Sequence, residues 1–60
     1  MTLNITLKTG VSYSINDVTS MKPLYEYGIG VIHNRIEDGE KFEDETTLYY
    51  DEISSITVTN

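Results

Sequence analysis

Regular alternation of apolar and polar residues at the start of the chain predicts a β-hairpin. From residue 2 to residue 8 every second side chain is apolar, which is typical of a half-buried strand. The alternation resumes after Gly10, a residue that adopts positive φ readily in a turn. Residues 2–16 are therefore predicted to form two antiparallel strands. Their core face carries the apolar residues Leu3, Ile5, Leu7, Val11, Tyr13 and Ile15.

The segment from residue 16 to residue 23 interrupts this alternation. It begins with an Asn-Asp pair, whose side chains bond readily to nearby backbone in bends. It contains Pro23, which has no N–H and cannot lie inside a central strand. We therefore predict a bend and a connector here, from which Val18 and Met21 return to the core.

The rest of the chain is organised around a predicted long hairpin from Leu24 to Tyr50. One strand runs over residues 24–36 and the other over residues 41–50, and the Asp-Gly pair within residues 37–40 is favoured in hairpin turns. Apolar positions change side along the first strand, which predicts a bulge near Gly28-Ile29-Gly30.

The last part of the chain allows two interpretations. Thr46, Thr47, Tyr49 and Tyr50 favour strand over a helix spanning residues 46–55. Asp51-Glu52-Ile53 is then a single tight turn, with Asp51 capping the following N–H groups. Residues 54–59 form the final strand, with Ile56 and Val58 facing inward.

Composition agrees with an all-β fold in one small domain, residues 1–60. The chain has no alanine or tryptophan and is rich in Thr, Ile, Val and Tyr. The patterns predict a five-stranded small SH3-like barrel or a strongly bent antiparallel sheet, with one short helical turn before the last strand. Without cysteine there is no disulfide or thiolate metal site. The chain shows no secretion signal or membrane span, which predicts a cytoplasmic protein.

Charge is concentrated at the predicted hairpin tip. Residues 37–45 contribute −5 to a formal net charge of −6. Such a charge repels nucleic acid and favours a basic partner. The tip is either a solvated loop whose charges discourage edge-to-edge aggregation or a docking patch that imitates a run of phosphates. The acidic residues of this patch are Glu37, Asp38, Glu40, Glu43, Asp44 and Glu45.

Tyrosines are the second candidate for partner binding. So small a core cannot bury all five, and exposed tyrosines favour interfaces, although scattered surface tyrosines are also normal. The candidates are Tyr25, Tyr27 and Tyr49. His33 could be a general base, but the simpler interpretation is an ordinary strand residue. No catalytic, cofactor-binding or metal-ligating site is predicted, because the acids lack EF-hand spacing and no nucleophile context surrounds His33.

Two stretches resemble the motifs of Sm-like proteins. Ile5-Thr-Leu-Lys-Thr-Gly10, with Tyr13, Ile15, Val18 and Met21, is similar to the start of the first Sm motif. Tyr49-Tyr-Asp-Glu-Ile53 through Ile56 is similar in position to the second. The Arg-Gly pair and the asparagine of the family's RNA pocket are absent, so the resemblance implies the fold and edge-strand ring assembly but not RNA binding. The chain also resembles short acidic proteins of bacteriophages.

These observations lead to one main functional hypothesis and two alternatives. The main one is a non-enzymatic acidic interaction module, of phage or mobile-element origin, that binds and modulates a host protein with a basic, nucleic-acid-binding surface. The first alternative is a self-assembling homodimer or ring that pairs through strand edges and tyrosines. The second is an Sm-like nucleic-acid binder, which would require Lys8, Lys22, Arg35 and Lys41 to share one face.

Overall fold

The computed structural model describes all residues from Met1 to Asn60 and is all-β. It contains six strands and a single 3-10 turn, and no α-helix. No helix is therefore long and apolar enough to cross a bilayer. The elements are β1 (Thr2–Leu7), β2 (Ser12–Ile15), β3 (Val18–Leu24), β4 (Gly28–Glu37), β5 (Glu40–Tyr49), η1 (Tyr50–Glu52) and β6 (Ile53–Thr59).

The strands form two antiparallel three-stranded sheets. One has the order β2-β1-β6 and the other the order β3-β4-β5. The prediction of five strands is wrong, and the two sheets do not close into a barrel. They are joined at one corner, where the Met1 carbonyl accepts a bond of 2.9 Å from the Val18 N–H and the Asn34 N–H donates to the Asp17 carbonyl at 3.1 Å.

The additional strand is β3, which lies where a connector was predicted. It pairs with β4 from Val18↔His33 to Leu24↔Gly28, with an irregularity between Val18 and Ser20. Pro23 is accommodated because β3 is an edge strand, so its missing N–H interrupts no second neighbour. Val18 is buried as predicted, but Met21 is exposed.

The first hairpin is confirmed. Leu3 lies opposite Ile15 and Ile5 lies opposite Tyr13, so these apolar residues share one face. Val11 was also predicted on the core face, but it precedes β2 and is 56% exposed. Gly10 adopts a φ of 93° in the turn. The bend before β3 is also present, with Asp17 at a φ of 55°.

The predicted long strand from Leu24 to Ile36 is divided by a turn over residues 25–27. The predicted bulge at Gly28-Ile29-Gly30 is absent, because β4 pairs with β5 without interruption from Gly28↔Tyr49 to Glu37↔Glu40. The glycines instead allow close packing. A Cβ on Gly28 would lie 2.4 Å from the Leu48 carbonyl oxygen.

The core is small and lies between the two sheets. It consists of the buried side chains Leu3, Ile5, Ile15, Val18, Val31 and Leu48, with Leu7, Ile29, Ile53 and Ile56 packed against it. Tyr13 and Val58 were expected inside but are 40% and 53% exposed. Both lie on strands at the edge of their sheet, where no further strand covers them.

The chain between residues 46 and 55 is strand, turn and strand, as favoured over the helix. β5 continues to Tyr49, and η1 supplies the single helical turn before the last strand. Asp51 does not cap this turn: the N-cap position is Tyr49, which makes no side-chain bond to it.

Candidate functional site

The acidic tip, defined as residues 37–45, is the end of the β4–β5 hairpin. Its loop consists of Asp38 and Gly39, at φ values of 52° and 77°. Two consecutive positive φ values identify the two-residue turn that matches the twist of the flanking strands. The predicted Asp-Gly turn is therefore confirmed, and it places Glu37 directly opposite Glu40.

Arg35 lies on the core-side face of the hairpin and binds two acids of the tip. Its Nε donates to Asp44 Oδ2 at 2.7 Å, and its terminal NH1 group pairs with Glu37. The guanidinium also lies over the Phe42 ring, 4.9 Å from the centroid. The hydrogen bond from Arg35 to Asp44 and the negative charge of that carboxylate both raise the pKa of Arg35 above its ordinary value. One cation thus holds two of the six acidic side chains.

A second cation holds one acid on the opposite face. Lys22 on β3 reaches over Gly30 to Glu45, with 3.6 Å between Nζ and Oε1. Three carboxylates of the tip remain without any cationic partner: Asp38, Glu40 and Glu43. The sequence shows all six acids but does not separate the paired from the unpaired ones.

The predicted tyrosines form a row at the other end of the same sheet. Tyr27 stacks between Tyr25 and Tyr49, with ring centroids 6.4 and 6.0 Å apart. Since the paired part of β4 and β5 spans ten residues, the tyrosine row lies about 30 Å from the turn of the tip. Glu45, the tip residue nearest the row, is four residues from Tyr49 along β5, about 13 Å. The two sets of predicted residues are therefore two separate surfaces.

Acidic side chains accompany the tyrosine row. Tyr27 and Tyr49 line a recess together with Tyr50, Glu26 and Asp51. Tyr50 was not among the predicted binding residues. The signal that could have identified it is the Tyr-Asp-Glu sequence of η1, which places acids beside an aromatic ring at a strand end.

Tyr25 has an unusual backbone conformation. Its φ is 51°, in the left-handed region that bulky residues rarely occupy. Its side chain is 91% exposed, so burial does not offset the strain. Strained residues of this kind occur more often where a function requires the side chain.

His33 lies in the sheet as an ordinary strand residue. Its Nε2 is 2.8 Å from the Thr46 hydroxyl on the neighbouring strand, and Asp44 lies directly opposite in the register. No group of three His, Asp or Glu side chains is arranged to hold a metal ion.

The basic residues do not form one surface. Lys22 pairs opposite Gly30 and Arg35 lies five positions further along β4, so their side chains point to opposite faces of the sheet. Both are also bound to carboxylates. Lys8 lies in the turn between β1 and β2, on the other sheet. The four basic residues of the chain therefore do not share one face.

No protein-family model, no curated protein and no solved structure matches this chain. Its function is therefore inferred from its own residues.

Proposed function

We propose that this chain is a non-enzymatic interaction module, of phage or mobile-element origin, that acts in the host cytoplasm. It binds a host protein through that protein's basic, nucleic-acid-binding surface and modulates it. One observation carries the proposal: Asp38, Glu40 and Glu43 have no cationic partner, whereas the other three acids of the tip pair with Arg35 or Lys22.

The distribution of charge supports a directed encounter with a basic surface. Strands β1, β2 and β6 contain no charged residue, whereas β5 alone contains four acids and one lysine. At physiological ionic strength charges act over roughly 8 Å, so the tip attracts a cationic partner locally. Electrostatic attraction of this kind raises the rate of association and fixes the orientation of the complex.

The shape of the molecule suits an elongated binding surface. Its longest dimension is 35 Å. A protein that contacts one turn of duplex DNA presents a basic surface about 34–36 Å long. A partner of that length could contact the acidic tip and the tyrosine row together. At the row, an arginine or lysine of the partner would lie against an aromatic ring, next to Glu26 and Asp51.

The test compares two triple variants of equal charge. The first neutralises the unpaired acids (Asp38→Asn, Glu40→Gln, Glu43→Gln), and the second neutralises the paired acids (Glu37→Gln, Asp44→Asn, Glu45→Gln). Both change the formal net charge from −6 to −3. Affinity for an Arg/Lys-rich decapeptide is measured at 150 mM salt, and circular dichroism checks that each variant folds.

The first variant is expected to bind about 10- to 100-fold more weakly, from three lost contacts of about 0.5–1 kcal/mol each. The second should retain most of the affinity, because its substituted acids were already occupied by Arg35 and Lys22. Equal losses in both variants would show that only net charge matters, and unchanged binding in the first would refute the docking role. The variant that retains binding then serves as the charge-matched control when partners are captured from a bacterial lysate.

A further inference from the structure

The four free strand edges of the molecule are protected very differently. An unpaired edge exposes N–H and C=O groups that can pair with another chain, and proteins block such edges with short strands, prolines, irregularities or charges. Three edges of this protein carry these features. β2 has only four residues, β3 contains Pro23 and an irregularity at its start, and β5 has five charged residues among ten.

The fourth edge, β6, has little protection. Its seven residues, Ile53–Thr59, include no charge, proline or glycine and are all Ile, Val, Thr or Ser. The irregularity opposite Thr6/Leu7 affects only its beginning, and Ser55–Thr59 pair regularly with β1. Most of that regular segment is exposed, including Val58 at 53%. A strand with these properties is suited to pairing along its free edge.

We infer that this edge binds a second copy of the same chain, forming a symmetric dimer through antiparallel pairing of β6 with β6. A two-fold axis at Thr57 uses the whole regular segment. It places Thr57 opposite Thr57, Ser55 opposite Thr59, and Ile56 opposite Val58 of the other copy. The β2-β1-β6 sheets of the two copies would join into one sheet of six strands.

The occupant is a second copy because the β6 edge carries no charge that would repel its own copy, and because its apolar and hydroxyl residues match when the strand pairs with itself. Two molecules of net charge −6 repel each other, but the sheet formed by β1, β2 and β6 carries no charge within its strands. Asp51 and Glu52 precede the paired segment. On the core face, Ile56 of each copy lies opposite Val58 of the other copy. These two contacts cover the exposed Val58 side chains. On the outer face, the side chains that meet are the hydroxyls of Ser55, Thr57 and Thr59. Thr59 already accepts a hydrogen bond of 3.0 Å from the Asn4 side-chain amide.

This inference is independent of the proposed function, since it involves neither the acidic tip nor the tyrosine row. A contact of five residue pairs is small, so the dimer is expected to be weak, with a dissociation constant on the order of 10–100 μM. Sedimentation velocity from 1 μM to 1 mM should show a monomer at low concentration and a dimer, with no larger species, at high concentration. A monomer throughout, or a series of larger oligomers, would overturn the inference.

A matched pair of lysine variants locates the contact. Thr57 and Ser14 flank Asn4 on either side, in the same row of the same sheet. Thr57→Lys places two like charges directly opposite each other at the axis and should weaken dimerisation at least tenfold. Ser14→Lys adds the same charge at the protected edge and should dimerise as the unmodified chain does. Equal behaviour of the two variants would overturn the inference.

Cysteine substitution tests the register without relying on a destabilising change. The chain has no cysteine of its own. Under mild oxidation Thr57→Cys should form a disulfide-linked dimer, because directly opposite residues lie within disulfide range. Thr59→Cys should not, because its counterpart would be four residues away along the partner strand, about 13 Å distant. Equal cross-linking of both variants, or none in either, would contradict the two-fold pairing at Thr57.

Discussion

Replacing Tyr25 with asparagine is expected to stabilise the protein, although it removes a large aromatic side chain. Tyr25 has a φ of 51° and a side chain that is 91% exposed. Asparagine tolerates the left-handed conformation because its short polar side chain can bond locally to the backbone. Alanine keeps a Cβ and gains no such bond, so Tyr25→Ala retains the strain and loses the ring.

The magnitudes can be worked from the turn. A several-fold preference of asparagine for this region corresponds to about 1 kcal/mol. The lost contact with Tyr27, with centroids 6.4 Å apart, lies near the outer limit of aromatic pairing and is worth about 0.5 kcal/mol. Tyr25→Asn should therefore gain about 0.5 kcal/mol, and Tyr25→Ala should lose about 0.5 kcal/mol. Tyr25→Gly should fall between them, since its more flexible unfolded chain offsets the relief of strain.

Urea denaturation followed by circular dichroism measures these differences, and thermal melting provides a second measure. A difference of about 1 kcal/mol between the asparagine and alanine variants corresponds to about 4–8 °C in melting temperature for a domain of this size. If the alanine variant is as stable as the asparagine variant, Tyr25 is not strained and the reasoning fails. Both variants lack the ring, so both should lose equal affinity for the basic decapeptide if the tyrosine row binds it.

Two further pairs of substitutions test the packing of the sheet. Gly28→Ala should cost about 3 kcal/mol, because its Cβ would lie 2.4 Å from the Leu48 carbonyl oxygen, which belongs to the backbone and cannot move aside. Gly30→Ala should change stability by less than about 1 kcal/mol, because the nearest atoms are the flexible ends of Glu45 and Lys22. Val31→Ala should cost about 2–3 kcal/mol of a total that is about 3–9 kcal/mol for 60 residues, since Val31 is fully buried. Ile36→Ala, at a site 73% exposed, should change stability by less than about 0.5 kcal/mol. Urea denaturation measures all four variants, and equal effects within either pair would contradict the packing described here.

The strands that the sequence predicted are those with a strong local pattern. β1 and β2 alternate clearly, and the Asp-Gly pair specifies the tight turn of the β4–β5 hairpin wherever that hairpin lies. β3 was missed because six of its seven residues are exposed or half-buried, so it has no alternation to detect. Its extended conformation depends on hydrogen bonds to β4, and those are tertiary contacts.

The role of the two glycines of β4 likewise could not be read from the sequence alone. A glycine in a strand is compatible with a bulge or with close packing, and only the neighbours distinguish the two. Here Leu48 lies against Gly28, and the Lys22–Glu45 pair lies over Gly30. The predicted bulge is therefore replaced by a regular, closely packed ladder.

For the candidate site, the sequence by itself determined the charge of the tip, its turn and the number of tyrosines available, since all of these are local properties. Only the tertiary structure decided which acids are free, because most of the pairing depends on register. Arg35 reaches Asp44, and Lys22 reaches Glu45, only when the strands align as they do, whereas Arg35 and Glu37 lie two residues apart on β4 itself. It also decided that the tyrosines stack at the far end of the sheet and that β6 is a free edge. Contacts between residues distant in sequence follow from strand order, which no local pattern encodes.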